Sequence, residues 1–440
     1  MPRGNLIAIC LAFVVSLICY QSTTHSRYAL MFQQGMQTIS DYYVRPVGEE
    51  ELFNAAMAGL TSPLDQNSVY IAPSHYPDFR RELGQEFGGI GVQVEFNEDK
   101  RQMIIITPLA GAPAYQAGVQ AGDIVLAIDG VELNGEDFKT SLERLHGTRG
   151  TPVTLTVQHI GEEKPVDITV TRANIMVESV LGDSHGEGGK WNFYLTNHPN
   201  IGYIRVDSFG DHTADDFQAA LEQIPKNAEG LIVDMRGNPG GYLTAAVEMV
   251  DMFIDSGVIV TTRSRDNEIR EIAKATNGNT IVPKDMPVVV LVNRFSASAS
   301  EIFAAALQDH HRATVIGERS FGKGTVQSIF PFPLDSDRRA LKITTATYWR
   351  PNETNIHRFP DATEEDDWGV RPDEGWELDL EDEMLKKVNQ ARRLHDVDRT
   401  NFSDPALAES REISEEEQSL LDFEDPQIQM AIEAIQEAHK

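Results

Sequence analysis

The stretch "NRFSASASEIFAAALQDHHRATVIGERSFGKGTVQ", from Asn293 to Gln327, gathers the residues best able to do chemistry. Ser296, Ser298 and Ser300 alternate with alanines and run into Glu301 and an apolar stretch. The preceding "MPVVVLVN" reads as a buried strand and "ASEIFAAALQ" as an amphipathic helix, so the serines fall on the turn between them. In an α/β sheet such a turn faces the crevice at the strand C-termini. Helix N–H groups there favour negative charge, and hydrolytic serines stand on the same kind of strand-turn-helix elbow. Ser298 and Glu301 also fit S-x-x-E, an ordinary capping box. Spacing alone does not separate a cap from a nucleophile.

A serine nucleophile needs a base. His310 and His311 follow the helix and read as helix-end or surface residues. Lys323 lies between Gly322 and Gly324, where the lack of a Cβ admits close backbone approach. "TVQSIF" continues as a strand, which puts Lys323, Thr325 and Gln327 on one face. Gln327 is then placed to hydrogen-bond the amine and aim it. A free lysine keeps its proton up to about pH 10.4, so a lysine base working near neutrality has to be desolvated in an apolar cleft. Gly317 through Lys323 also match the first part of the phosphate loop G-x-x-x-x-G-K-[ST], but Gly324 stands where a hydroxyl would hold magnesium and a strand follows in place of a helix.

The elements that must position these residues read as an α+β / α/β multidomain chain of 440 residues. Residues 1–26 hold Arg3 and then an apolar run from Leu6 to Tyr20, expected to be a signal sequence or membrane anchor. The run is shorter than the roughly 20 residues that span a bilayer comfortably. Both cysteines, Cys10 and Cys19, lie in it, so the rest of the chain has neither a disulfide framework nor a cysteine zinc site. Leu17 and Ile18 argue against lipidation of Cys19. Residues 27–83 show helical periodicity. Residues 84–173 switch to period two, with a hairpin turn at Asp129-Gly130. Residues 174–373 alternate apolar strands with amphipathic helices, the rhythm of a parallel-stranded layered core. Residues 374–440 read as an acidic helical tail, in which Asp425 caps a helix opened by Pro426. Lys+Arg 38 against Asp+Glu 68, a net charge of -30, argues against nucleic acid as the main partner.

The serine-to-lysine stretch resembles the carboxyl-terminal processing peptidases, the tail-specific proteases of family S41. "DYYVRPV", "LDQNSVYI", "GGIGVQV" and "VDMRGNPGGYLTAAVEMVDMFI" carry the resemblance over roughly Tyr42 to Asp373. It implies an exported serine protease with a PDZ domain ahead of a catalytic core and a Ser-Lys dyad needing no metal or cofactor. Carried over by motif, Ser298 is the nucleophile, Lys323 the base and Gln327 its orienting residue. The Pro-Gly-Gly turn implies an oxyanion contribution from the backbone of Gly240 and Gly241, with the N–H of Ala299. Asp234 and Arg236 flank that turn and are expected to hold it. Phe295 departs from the small residue usual there, "LDQNS" from "LDPHS", and the link "SVLGDSHGEGGKWNFYLTNHPN" is longer than usual.

"FGGIGVQVEF" has a reading of its own. A glycine-rich loop entering a strand offers N–H groups that catch a chain-end carboxylate while the peptide adds as a strand. Gly88, Gly89, Ile90, Gly91 and Val92 are the candidates, with Ile90 and Val92 as pocket walls and the helix around Ala114–Ala117 lining the groove. Arg172 is expected at a hinge surface or in a relay to the core. The partners expected are protein or peptide substrates with free C-terminal tails. A homodimer, an adaptor protein and attachment to the membrane in a periplasmic or other extracytoplasmic compartment complete the expectation. Two alternatives stand beside it: a catalytically degenerate PDZ scaffold, and a Ser-His esterase, although G-x-S-x-G is missing.

Overall fold

The computed structural model describes residues 27–440 except 77–78, 80–85, 98–101, 110–111, 121, 134–137, 160–161, 163, 177, 187–189, 334–337 and 397–414. The apolar run Leu6–Tyr20 and both cysteines lie outside the described residues. Among the described residues no helix is long and apolar enough to cross a membrane.

The chain divides into two compact units, one reaching Ser74 and taking in Ile329–Ile343, the other holding the rest. In the first, α1 (Arg27–Tyr42) buries no residue, and α2 (Glu49–Thr61) opens with three glutamates that suit the positive end of its dipole. Strand β1 (Val69–Ile71) pairs antiparallel with residues 340–342. Phe53, Tyr70 and Phe332 meet edge to face at 6.1–6.2 Å. The unit expected from residues 27–83 alone thus recruits a hairpin from the stretch assigned to the core. A strand of three residues gains its ladder only from a partner, and that partner is remote in sequence.

The second unit begins with β2 (Glu86–Gly89), β3 (Val92–Asn97), β4 (Gln102–Pro108), the single turn α3 (Pro113–Gln116), β5 (Ile124–Ile128), β6 (Val131–Glu132), α4 (Phe138–Leu145), β7 (Pro152–Gln158), β8 (Val166–Thr171) and β9 (Ala173–Met176). The sheet order is β3-β4-β5-β7-β8, so β3 is an edge strand. Asp129 and Gly130 both have positive φ, 49° and 74°, as a two-residue hairpin turn demands. The glycine stretch departs from expectation. Gly88 and Gly89 are not a free loop but pair with Asn174 and Ala173 of β9. Ile90 is 1% exposed in the core with Met103, Leu155 and Val170, so its side chain lines no open pocket, while Val92 is half-buried. Arg172 is a buried staple inside this region. Its guanidinium donates to the carbonyls of Leu145, Pro152 and Arg144 and to the hydroxyl of Thr151 at 2.7–3.1 Å. A five-donor fork closing helix α4 onto the sheet is neither a hinge surface nor a relay.

The remaining elements are β10 (Val180–Leu181), β11 (Ser184–His185), β12 (Trp191–Asn192), β13 (Tyr194–Leu195), β14 (His198–Val206), α5 (Thr213–Gln223), β15 (Gly230–Asp234), α6 (Leu243–Asp251), β16 (Val258–Arg263), β17 (Ile269–Lys274), β18 (Val288–Val292), α7 (Ala299–Asp309), β19 (Thr314–Gly317), β20 (Thr325–Pro331), β21 (Ala340–Trp349), α8 (Asp382–His395), α9 (Glu415–Leu421) and α10 (Pro426–Ala438). Strands β14, β15, β18 and β19 are parallel neighbours. They are buried on both faces, which explains unbroken runs such as Val288–Val292. One face, with Ile204, Val233, Val290 and Val315, packs on Phe217 of α5, Met249 and Val250 of α6, Phe253 just after it, and Phe303 of α7. The other, with Tyr203, Ile232, Leu291 and Ile316, packs on Ala431, Ile432 and Ile435 of α10. The C-terminal stretch therefore includes a layer of the core. Its acidic composition hides one apolar stripe that the sheet needs.

Candidate active site

Strand β18 ends at Val292, and the chain turns through Asn293–Ala297 into α7. Ser298 caps that helix at φ 58°, ψ −114°, a conformation L residues rarely adopt. Its neighbours over-determine it. Ser296, fully buried, donates its hydroxyl to the Met235 carbonyl at 2.8 Å, and Ser300 donates to the Asn238 carbonyl at 3.0 Å. The Ala297 N–H donates to Asn238 O at 3.0 Å, and Asn293 Oδ1 accepts from the Gly237 N–H at 2.9 Å. The outer serines are thus struts between the elbow and the 235–241 loop. The Ser298 hydroxyl instead hydrogen-bonds the phenol of Tyr348, whose pKa burial pushes up to about 12.

Glu301, fully buried, does reach back to the Ser298 N–H as a capping box requires. It does more. Oε2 accepts from the N–H groups of Ser298 and Lys323, both at 2.8 Å, and Oε1 accepts from the Gly322 N–H at 2.6 Å and the Ser320 hydroxyl at 2.5 Å. Burial pushes the Glu301 carboxyl up, and these four bonds act the other way. One carboxylate therefore holds the backbone of Ser298 and the backbone of Lys323. It also fills the concavity a phosphate loop would keep for its anion, and β20 follows in place of a helix, so the phosphate reading fails.

Lys323 is half-buried. The close approach anticipated from its flanking glycines is made by the protein itself. A Cβ on Gly324 would lie 2.2 Å from the His357 nitrogen, and one on Gly322 2.7 Å from Arg358 Cβ. Along β20, Gln327 Nε2 donates to the hydroxyls of Thr325 and Thr344 at 2.9 and 3.1 Å. Its donors are directed there, which leaves Oε1 as an acceptor. His310 and His311 stand at the far end of α7, about 18 Å or more from Ser298 by helical rise. His310 hydrogen-bonds the Val258 carbonyl at 2.8 Å, so neither is the partner of Ser298.

The Pro-Gly-Gly turn lies against the elbow. A Cβ on Gly240 would come 2.7 Å from Ser298 Cβ and 2.9 Å from the Ala299 nitrogen, and Gly240 has φ 96°. Its N–H, however, donates to Asn238 Oδ1 at 2.8 Å. Of the three expected oxyanion donors, only the N–H groups of Gly241 and Ala299 lack a protein partner among the described residues. Gly240 contributes space.

Beneath the loop lies a buried ion cluster. Asp234 accepts from the Arg236 N–H, Nε and Nη2 at 2.7–3.0 Å, from the Tyr203 hydroxyl at 2.9 Å and from Arg392. Arg236 also donates to Asp425 at 3.1 Å and to Gln427 at 2.8 Å. Burial alone would raise the Asp234 carboxyl; Arg236 and Arg392 outweigh it and hold it well below the usual carboxylate range. Asp234 and Arg236 do hold the loop, but through Arg392, Asp425 and Gln427, which sequence reasoning missed. Nothing in "ARRLH" distinguishes Arg392 from a surface arginine. Glu301 was visible only as a cap, and nothing in the sequence singled out Tyr348.

Residues 200–374 match peptidase family S41, and residues 104–159 match the PDZ domain. The chain is 36% identical to the carboxy-terminal-processing protease of Bartonella bacilliformis over 73% of this chain and 70% of that one. It is 34% identical to the carboxyl-terminal-processing protease of Synechocystis over 76% and 73%. Among solved structures it is similar to a photosystem II D1 C-terminal processing protease, at 26% identity and a TM-score of 0.45, covering 84% of this chain and 98% of that one. The family model and the curated relatives together place the chain in peptidase family S41, as a serine peptidase that carries a PDZ domain.

Proposed function

We propose that the chain cleaves peptide bonds through an acyl-enzyme formed on Ser298, with Lys323 as base. The observation that carries this reading is the division of labour among three adjacent serines. Ser296 and Ser300 are tied to carbonyls, whereas Ser298 sits on a strained elbow whose backbone shares a carboxylate with that of Lys323. The neutral Lys323 amine takes the Ser298 proton as Oγ attacks the carbonyl carbon. The N–H groups of Gly241 and Ala299 receive the developing oxyanion. Lys323 then returns the proton to the leaving amine, and water resolves the ester by the same route. Gln327 Oε1 aims the amine. A Ser-His esterase finds no support at His310 or His311, and a degenerate scaffold would not preserve this set.

The edge strand β3 supports capture of a substrate tail by strand addition, next to the Ile90–Gly91 turn where Gly91 has φ 75°. The N-terminal apolar run supports export and attachment to the extracytoplasmic side of a membrane; a homodimer or an adaptor is compatible with this reading. The test uses the full chain and one peptide with a free or an amidated C-terminus. Cleavage should require Ser298 and Lys323 and should favour the free acid. Cleavage that survives Ser298→Ala overturns the catalytic reading, and equal rates on both peptides at limiting concentration overturn tail reading.

A further inference from the structure

Three phenylalanines border the elbow and the lysine loop, and the chemistry above assigns them no task. Phe295, Phe321 and Phe359 are 51%, 47% and 50% exposed. Scattered surface apolar residues are ordinary, but these three stand on backbone segments stitched to one another. The Phe321 N–H donates to the Ser296 carbonyl at 2.9 Å, and the Arg358 N–H donates to the Gly322 carbonyl at 2.8 Å. The rings therefore project from loops that also present Ser298 and Lys323, and the ladder fixes those loops. The His357 ring meets Phe359 edge to face at 4.9 Å.

Arg294 and Arg358, the sequence neighbours of Phe295 and Phe359, are already paired. Arg294 lies 5.3 Å over Phe295 and bridges Glu318 and Asp382 at 3.2 and 2.8 Å. Arg358 lies 4.3 Å over Trp368 and pairs with Glu364 at 3.1 Å. An acidic side chain would meet compensated charge here, on a chain whose net charge is -30. A large apolar side chain would meet three rings that lose their water on contact.

We propose that Phe295, Phe321 and Phe359 form an apolar rim that selects extended peptide substrates carrying large apolar side chains close to the scissile bond. The proposal rests on Ser298 being the nucleophile. Its occupant is the substrate because the rim is continuous with the loops that hold the reacting groups.

The test takes a peptide whose cleavage site by the full-length chain has been mapped. Each of the three residues on either side of the bond is set in turn to Leu or to Asp. At one or more positions kcat/KM should favour Leu by about tenfold. In F295S/F321S/F359S the Leu-over-Asp ratio should fall below about threefold, and the single variants should fall between. A ratio cancels any common loss from imperfect folding. Absence of preference in the parent chain, or a ratio unchanged in the triple variant, overturns the rim. Sedimentation of parent and triple variant covers the other occupant. A change of oligomeric state with an unchanged ratio makes these rings a contact between copies and overturns the proposal. Ser298→Ala is assayed on the Leu peptide alongside; surviving cleavage there sinks the catalytic reading itself, whatever the ratio does.

Discussion

On the side of the proposed nucleophile, one buried carboxylate is surrounded by neutral donors. Glu301 takes three amide N–H groups and one hydroxyl, all from within the short span Ser298–Lys323. On the loop side, Asp234 is surrounded by guanidinium groups and reaches Arg392, while Arg236 reaches Asp425 and Gln427. The first arrangement fixes backbone against backbone with directional bonds. The second fixes one loop through charges contributed by the far end of the chain. Precision near the reacting atoms thus comes from a local network, and the loop's seat depends on whether the C-terminal helices are docked. A carboxylate solvated by donors loses its purpose if one oxygen becomes a donor. A buried ion pair loses more stability when one partner is removed than it ever contributed as a pair.

The largest effect should come from the reacting groups. Ser298→Ala and Lys323→Arg should each lower kcat by about 10⁴-fold or more on a quenched peptide, with circular dichroism unchanged. Arginine keeps the charge but does not give up its proton. Near-normal turnover by Lys323→Arg would remove Lys323 from the mechanism and with it the meaning of the Glu301 bridge.

Glu301→Gln breaks the nucleophile side without touching a reacting atom. One amide oxygen replaces two acceptors, and an NH₂ is driven either against the N–H groups of Ser298 and Lys323 or against the Gly322 N–H and the Ser320 hydroxyl. We expect kcat to fall about 10²-fold with KM changed less than threefold, and stability to fall by about 3 kcal/mol. If stability falls while kcat holds, Glu301 is a helix cap and nothing else.

Arg392→Met should break the loop side more gently. The aliphatic stem is kept, the charge on Asp234 loses one partner, and Arg236 still holds the carboxylate. We expect about tenfold in kcat and about 3 kcal/mol in stability, read from peptide turnover and urea unfolding. Restoration of kcat by Arg392→Lys would mean that charge alone seats the loop; failure would mean that the planar fork is needed.

Acid distinguishes the two sides. The folded carboxyl of Asp234 is depressed, so its stabilisation is complete above the unfolded value of about 3.9 and is lost as pH falls below it toward the folded value. The slope from one such group is at most about 1.4 kcal/mol per pH unit. Asp234→Asn should therefore be weaker than the parent at pH 7 and flatter between pH 4 and 3 in urea midpoint. Equal slopes would mean that Asp234 does not carry the acid sensitivity of the loop.

This division also explains what the sequence disclosed. The elbow was legible because its donors and acceptor lie within one strand-turn-helix-turn span, where residue type and spacing survive as a motif. The parallel sheet was legible from runs such as Val288–Val292, since strands buried on both faces cannot alternate. Arg392, Asp425 and Gln427 were not legible as parts of the site, because pairing across 158 to 191 residues leaves no spacing to read. The recruitment of Ile329–Ile343 into the N-terminal unit was hidden for the same reason. Gly240 shows a finer limit. Its place beside Ser298 followed from the motif, but the donation of its N–H to Asn238 depends on a side-chain rotamer that no pattern encodes.

The smallest expected effect belongs to Tyr348, the residue whose phenol meets the Ser298 hydroxyl. It is 6% exposed, and burial pushes its pKa up to about 12, so at neutral pH it holds its proton and is no base. Its bond to Ser298 belongs to the resting enzyme. In the proposed mechanism the serine proton goes to Lys323 as Oγ attacks, and the phenol has to give up its contact or keep it at no gain. A neutral hydrogen bond contributes about 1 kcal/mol net, which corresponds to about fivefold in rate. Tyr348→Phe keeps the ring in the core and removes only the hydroxyl. We expect kcat/KM to change by less than about fivefold in either direction, and labelling of Ser298 by a fluorophosphonate to keep pace with it. A fall of 10²-fold or more in both would reverse the assignment: the phenol would then be aligning Oγ for Lys323, and the nucleophile side would depend on β21 as well as on Glu301. A fall in peptide cleavage with labelling unaffected would instead place the hydroxyl against the substrate. The measurement thus decides whether the local network around Glu301 is sufficient to set the nucleophile, which is the claim that separates the two sides of the site.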